Sequence, residues 1–289
     1  MVIPEELRLK NFNLNHPEPR VFVKPQWGND AFYFGWRIFW ALYHTCWIIA
    51  NGCLNYQQSS SEANRIKWFV YLTNWTYLVL TVDNLVQLFT VIYVHTHRKD
   101  ILKGVGEMPW YMKLMWVLFN ISATGCLVVT ILFWSLLFPA MHSLSATTFN
   151  VHAVNSINVA LNLVVTRLPT RLYHFYQPML YGLVYVVFNA VYQSLGGTNT
   201  RGQPYIYPVL DWKNKPTLAI IIGVTSVLVA VPVLHTIIFL ISLLRRHINK
   251  QIQRQISLET LYSSETKPRQ SDYEMGANVN NVAEQREDQ

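Results

Sequence analysis

Six stretches of this chain are almost free of charge, and they constrain the fold more than any other feature. They cover residues 33–54, 68–94, 114–138, 149–166, 178–195 and 217–244, and together hold two formal charges, Arg37 and Asp83. Each is near or above the ~17 residues that a helix needs to cross a hydrocarbon core. Soluble helices seldom run so far without charge. Trp68, Tyr71, Trp110, Tyr111, Trp116, Tyr205, Tyr207 and Trp212 gather at the ends of the stretches, as aromatic belts do at a membrane interface. The stretch 149–166 is the least apolar of the six, and 217–244 carries Pro232 as an expected kink. The pattern predicts an all-α membrane protein with six transmembrane helices in one bundle.

The basic residues give the orientation. The arm before residue 33, the 95–113 and 167–177 loops and the tail after residue 244 hold 17 of the 23 Lys and Arg residues. The three loops on the opposite side hold 5, and Arg37 completes the count. The positive-inside rule then puts the N and C termini in the cytoplasm. The expected organisation is a cytoplasmic arm over 1–32, a transmembrane domain over 33–244 and a cytoplasmic tail over 245–289. The tail begins as a basic helix suited to anionic headgroups and turns polar and disordered from residue 263.

Composition excludes several classes. Only 13% of residues are charged, against ~25% in soluble domains. The net charge of +7 is accounted for by orientation, so no nucleic-acid partner is expected. Cys46, Cys53 and Cys126 form neither a disulfide framework nor a metal cluster, so no metal and no cofactor are expected. The arm lacks the apolar core of a cleavable signal peptide. No internal repeat or nucleotide-binding loop suggests a transporter or an ATPase.

Polar side chains inside the spans each require an explanation. Arg37 lies one turn inside the first span and is expected to snorkel to the cytoplasmic interface. Asp83 and His44 lie at similar depth, about 16 Å in at ~1.5 Å per residue, and are expected to pair; His235 is an alternative partner. His152, Asn155, Ser156 and Asn162 form a stripe on the fourth span, and Thr73, Asn84 and Gln87 another on the second. Interhelical hydrogen bonding explains such stripes at ~1 kcal/mol per contact. The orientation also puts Thr73 and His152 in the outer leaflet, with Tyr207 and Asp211 on the outer loop 196–216. A threonine hydroxyl beside an imidazole can serve as nucleophile and general base.

The segments YLTNWTYLVL, HAVNSINVALNL, FNAVYQSLGG and PYIYPVLDW resemble the rolling stone family of animal multi-pass membrane proteins, over about residues 32–244. The resemblance implies a cell-surface protein linked, in the founding member, to myoblast fusion. The same landmarks are more distantly similar to the androgen-induced family of intramembrane hydrolases, which cleave fatty-acid esters with one Thr and one His. That resemblance matches the Thr to Thr73, the His to His152, and a Tyr-Pro-x-Leu-acid element to Tyr207–Asp211. The hydrolases carry a carboxylate ten residues beyond the His; here the position is Asn162, which keeps hydrogen bonding and drops the charge.

Two functions are therefore expected from different classes. One is a non-enzymatic membrane protein acting in cell–cell fusion through membrane lipids or lateral protein partners, since the outer loops are too short for an adhesion surface. The other is a threonine-type lipid-ester hydrolase using Thr73 and His152, with Asn155, Asn162, Tyr207 and Asp211 in support. A channel, suggested only by Asp83 and the buried histidines, ranks third. The resemblance favours the plasma membrane over the endoplasmic reticulum.

Overall fold

The structure, a computed structural model, describes residues 5–59, 61–140 and 144–266. Among these, seven α-helices reach ten residues: α1 Asp30–Gln58, α2 Leu72–His97, α3 Trp110–Leu132, α4 Asn155–Val165, α5 Tyr176–Ser194, α6 Pro216–Thr225 and α7 Val231–Thr266. No strand forms among the described residues, although one isolated bridge joins Pro25 to Thr166. The chain divides into two compact units, Met1–Ser242 and Leu243–Gln289. The second unit is helical as far as Thr266, so residues 263–266 are helical where disorder was expected. The rest of the polar tail lies outside the described residues.

Local chemistry sets the helix ends. The Asn29 side chain accepts from the Phe32 N–H at 2.9 Å and caps α1, with Asp30 in its first turn. Pro216 begins α6, where its missing N–H costs nothing. α5 is closed just past Ser194 by Gly196, whose φ of +81° is the left-handed conformation that ends a helix; Gly197 N–H then reaches back to the Tyr192 carbonyl at 2.9 Å. Pro232 has no N–H to offer the preceding turn. The π turn Ser226–Ala230 absorbs that loss between α6 and α7.

Among the described residues, three helical stretches are long and apolar enough to cross a membrane: Leu72–His97, Trp110–Leu137 and Pro216–Thr260. They coincide with the second, third and sixth expected spans. The other three expected spans are helical too, but fall short of that measure for identifiable reasons. α1 carries Arg37 and ends in Asn51, Asn55, Gln57 and Gln58; α4 is only 11 residues long; α5 carries Gln177, Asn189 and Gln193.

α2 lies at the centre, packed most extensively on α3 and then on α1, and α3 also packs on α5. The core is mixed. Tyr77, Leu80, Met115, Trp116 and Phe119 are buried there, but so are Asn84, Gln87, Asn120 and Asn158. The N-terminal arm belongs to the same unit. Phe22 packs edge-on against Trp116 at 5.0 Å, and Arg171 donates to the carbonyls of Asn13 and Asn15, both at 2.7 Å.

The two charges of the apolar stretches behave differently from expectation. Arg37 does not snorkel: it is 1% exposed, donates to the Tyr33 hydroxyl at 2.6 Å and to Asn162 Oδ1 at 3.3 Å, and lies over the Tyr33 ring. The partner that keeps it inside, Asn162, is 125 residues away in sequence. Asp83 takes neither histidine as partner. It accepts from Ser122 Oγ at 2.6 Å and from Gln87 Nε2 at 2.7 Å. His44 instead pairs with the Tyr77 hydroxyl at 3.1 Å, and His235 with Thr124 and the Arg171 carbonyl.

Candidate functional site

The outer loop expected to cover Thr73 does approach it, because it is fastened at several points. Lys67 Nζ donates to Thr198 Oγ1 and the Asn199 carbonyl, and the Tyr71 hydroxyl pairs with Thr200 Oγ1 at 3.0 Å. Further along, Asp211 collects the Gln193 amide at 2.7 Å, the Asn214 amide at 2.9 Å and the backbone N–H groups of Lys213 and Asn214. Burial alone raises the Asp211 carboxyl, but these hydrogen bonds outweigh it and hold the group below the ordinary carboxylate range. Trp212 completes the attachment, donating from its backbone to Gln193 Oε1 and from its indole to Asn189 Oδ1, both at 2.8 Å. Asp211 therefore positions the loop. Gln193 and Asn189, one helical turn apart on α5, are the anchors, and sequence reasoning missed them. Their signal was available: two amides at i and i+4 on an otherwise apolar stretch.

The fastened loop brings Tyr207 to the same cleft as Thr73. That cleft is partly open. Its walls come from α3 (Val129, Leu132), α5 (Gly182, Tyr185, Val186), α6 (Ile222, Gly223) and the loop (Val209, Leu210). Nearly everything on the walls is apolar. The hydroxyls of Thr73, Tyr185, Tyr207 and Ser226 are the exceptions.

Three π turns occur among the described residues: Phe133–Leu137, Asn150–Val154 and Ser226–Ala230. The first and third contribute Phe133, Leu136, Leu137, Ser226 and Val227 to the cleft. The second carries His152. Its ring stacks face to face on Phe133, with centroids 3.5 Å apart and planes 7° apart. π turns are rare, and they recur at functional sites in helical proteins.

His152 is not itself a cleft residue. It is 8% exposed, its Nδ1 has no partner among the described residues, and the Phe133 ring it stacks on is the part that reaches the cleft. The structure brings Thr73 and Tyr207 to one cleft and leaves His152 one aromatic ring away. The remaining predicted residues hold α4 in place. Asn155 accepts from Thr130 at 3.2 Å, and Asn162 accepts from Trp36 at 3.0 Å as well as from Arg37. No cluster of three metal-ligating side chains occurs among the described residues.

A family model described as Protein rolling stone matches residues 2–260. The chain belongs to the rolling stone family. Among curated proteins, Protein rolling stone of Drosophila melanogaster is 26% identical over 222 residues, which cover 73% of this chain and 78% of that one. No solved structure matches. The resemblance read from the sequence segments is borne out. It extends further than those segments suggested, because the match takes in the N-terminal arm that packs on Trp116 and Arg171.

Proposed function

We propose that this rolling stone family member is a six-span protein of the plasma membrane, with both termini cytoplasmic, that acts in cell–cell fusion of the kind that joins myoblasts. Family membership carries this reading. The distribution of basic residues supports the orientation, with an arm over 1–32, a membrane domain over 33–244 and a tail over 245–289. The outer loops are short, and the 196–216 loop is fastened down, so the protein works within the bilayer, through membrane lipids or lateral partners. The test is content mixing between two differently labelled populations of fusion-competent myoblasts that express the protein. Ablation lowers mixing and re-expression restores it. Unchanged mixing after ablation overturns the role.

A second reading, hydrolysis of a lipid ester, has one observation in its favour: Thr73 lines an apolar cleft whose wall, Phe133, is in contact with His152. In this reading the Thr73 hydroxyl attacks the ester carbonyl while His152 takes its proton. The alcohol leaves with that proton, and water then releases the acid from Thr73. The Asn155 amide is the supporting donor in this scheme. Phe133 must swing aside for His152 to reach Thr73. Lipid-ester turnover by purified protein that disappears in both Thr73→Ala and His152→Ala supports hydrolysis; equal turnover in all three proteins sinks it.

A further inference from the structure

We infer that the tail helix docks on anionic phospholipid headgroups and that a protein kinase releases it by phosphorylating Ser257. The inference rests on the cytoplasmic tail proposed above and adds to it a partner and a modification site.

The second compact unit begins at Leu243 and is helical as far as Thr266. Residues four apart share a helix face, and two such rows run along this one. Leu244, Ile248, Ile252 and Ile256 form an apolar row, with Leu258 beside it. Arg246, Lys250 and Arg254 form a basic row on the other side. Ile252 is half-buried, and the other four apolar residues are exposed. Lys250 and Arg254 make no ion pair among the described residues. A helix with one apolar face and Lys and Arg on the other is suited to the interface of a bilayer.

Charge and position define the occupant. Residues 245–262 hold four Lys or Arg and one Glu, a net charge of +3 with His neutral. They follow directly on the last apolar stretch, 217–244, so the anionic lipids of the cytoplasmic leaflet are the nearest negative surface. An acidic soluble protein would meet the same charge without being held beside it.

Ser257 lies on the basic side, three residues after Arg254 and just before Leu258. An arginine at that distance and an apolar residue next in the chain suit a kinase with an acidic subsite and an apolar pocket. The Ser257 hydroxyl donates to the Gln253 carbonyl at 2.8 Å, and every residue from Gln253 to Thr260 is exposed. The turn therefore opens for a kinase without giving up burial. The Ser257 oxygen attacks the γ-phosphorus of ATP. The new O–P bond forms as the bond to the bridging oxygen breaks, ADP leaves, and the hydroxyl proton passes to a kinase carboxylate. The phosphate brings a charge of about −1.5 to −2, cancels at least half of the net charge and pairs with Arg254 one turn away. The ratio of docked to free helix then falls about ten- to thirty-fold.

The test uses the full chain with Cys46, Cys53 and Cys126 changed to alanine. A single cysteine, Ile256→Cys or Gln253→Cys, carries a nitrobenzoxadiazole probe. The chain is reconstituted in phosphatidylcholine vesicles with and without phosphatidylserine, each containing a doxyl-labelled lipid as quencher. Strong quenching at 256 and little at 253 is expected with phosphatidylserine, and a docked-to-free ratio about ten-fold lower or less without it. Lys250→Gln with Arg254→Gln lowers the ratio about ten- to thirty-fold. The catalytic subunit of cAMP-dependent protein kinase, with ATP, puts phosphate on Ser257 and lowers the ratio by a similar factor. Peptide mass spectrometry reads the site; Ser257→Ala blocks both effects, and Ser257→Glu lowers the ratio without kinase. Equal quenching in both lipid mixtures, no phosphate on Ser257, or phosphorylation without release overturns the inference. So does a probe that responds to calcium-loaded calmodulin and not to phosphatidylserine, which would make an acidic protein the partner. The vesicle results do not depend on orientation in cells. Labelling of Ile256→Cys by an impermeant maleimide on intact cells overturns the cytoplasmic tail instead, and with it access of the kinase.

Discussion

Arg37 and Asp83 are the two formal charges in the apolar stretches, and both are buried, 1% and 2% exposed, near enough for each to feel the other's field. Arg37→Met removes the bonds to Tyr33 and Asn162 and leaves the Asp83 carboxylate with only neutral donors. Each buried partner left without its donor costs about 1–3 kcal/mol. Ser122 and Gln87 still donate to Asp83, so a loss of about 3 kcal/mol in all, from the Tyr33 and Asn162 bonds, is expected. Asp83→Asn keeps the shape and strands Arg37, which retains Tyr33 and Asn162; the loss is about 1–3 kcal/mol. The double variant has no stranded charge, so its loss falls short of the sum by about 1 kcal/mol or more. Reversible unfolding by sodium dodecyl sulfate in mixed micelles at pH 7, followed by tryptophan fluorescence, measures all three. Additivity within about 0.5 kcal/mol would refute electrostatic coupling and leave Arg37 its neutral contacts alone.

Three further outcomes follow from the geometry. Phe133→Ala leaves a void beside His152 and widens the cleft; a loss of about 3–5 kcal/mol in the same unfolding assay checks it. Gly196→Ala, at φ +81° with open space around it, costs about 1 kcal/mol from backbone strain alone. Asp211 has a folded-state pKa below that of the unfolded chain, so its contribution is full above ~pH 4 and lost as pH falls through the folded value. Asp211→Asn flattens that acid limb, read as thermal stability between pH 7 and pH 3; an unchanged limb contradicts the assignment.

Much of the helical architecture could be read from the chain, because runs of apolar residues between charged loops admit few alternatives. The polar interior could not. Arg37 looked able to reach the interface because depth alone was considered; its partner Asn162 lies on another helix. Asp83 was expected to seek a histidine because both are ionisable, yet a serine on α3 and a glutamine one turn along α2 satisfy it. The sequence reading put Thr73 and Tyr207 on one side, but it could not supply the attachment through Gln193 and Asn189 that brings the loop to the cleft Thr73 lines. The three π turns are invisible to a 3.6-residue pattern, since each adds a single residue to a turn. Two of them line the cleft, and the stacking of His152 on Phe133 joins one π turn to another. The fourth and fifth expected spans are the places where periodicity reaches its limit: both are helical, but α4 is short and α5 is amide-bearing because they serve as docking elements for α1, α3 and the loop.

The central claim is a six-span chain with both termini cytoplasmic and the loop over Thr73 outside. Single cysteines introduced one at a time at Arg65, Arg201 and Lys103 in a variant lacking native cysteines, with an impermeant maleimide applied to intact cells, test it most directly. The account predicts labelling at 65 and 201 in intact cells, and at 103 only after permeabilisation. Labelling of 103 from outside, or protection of 201, would contradict it.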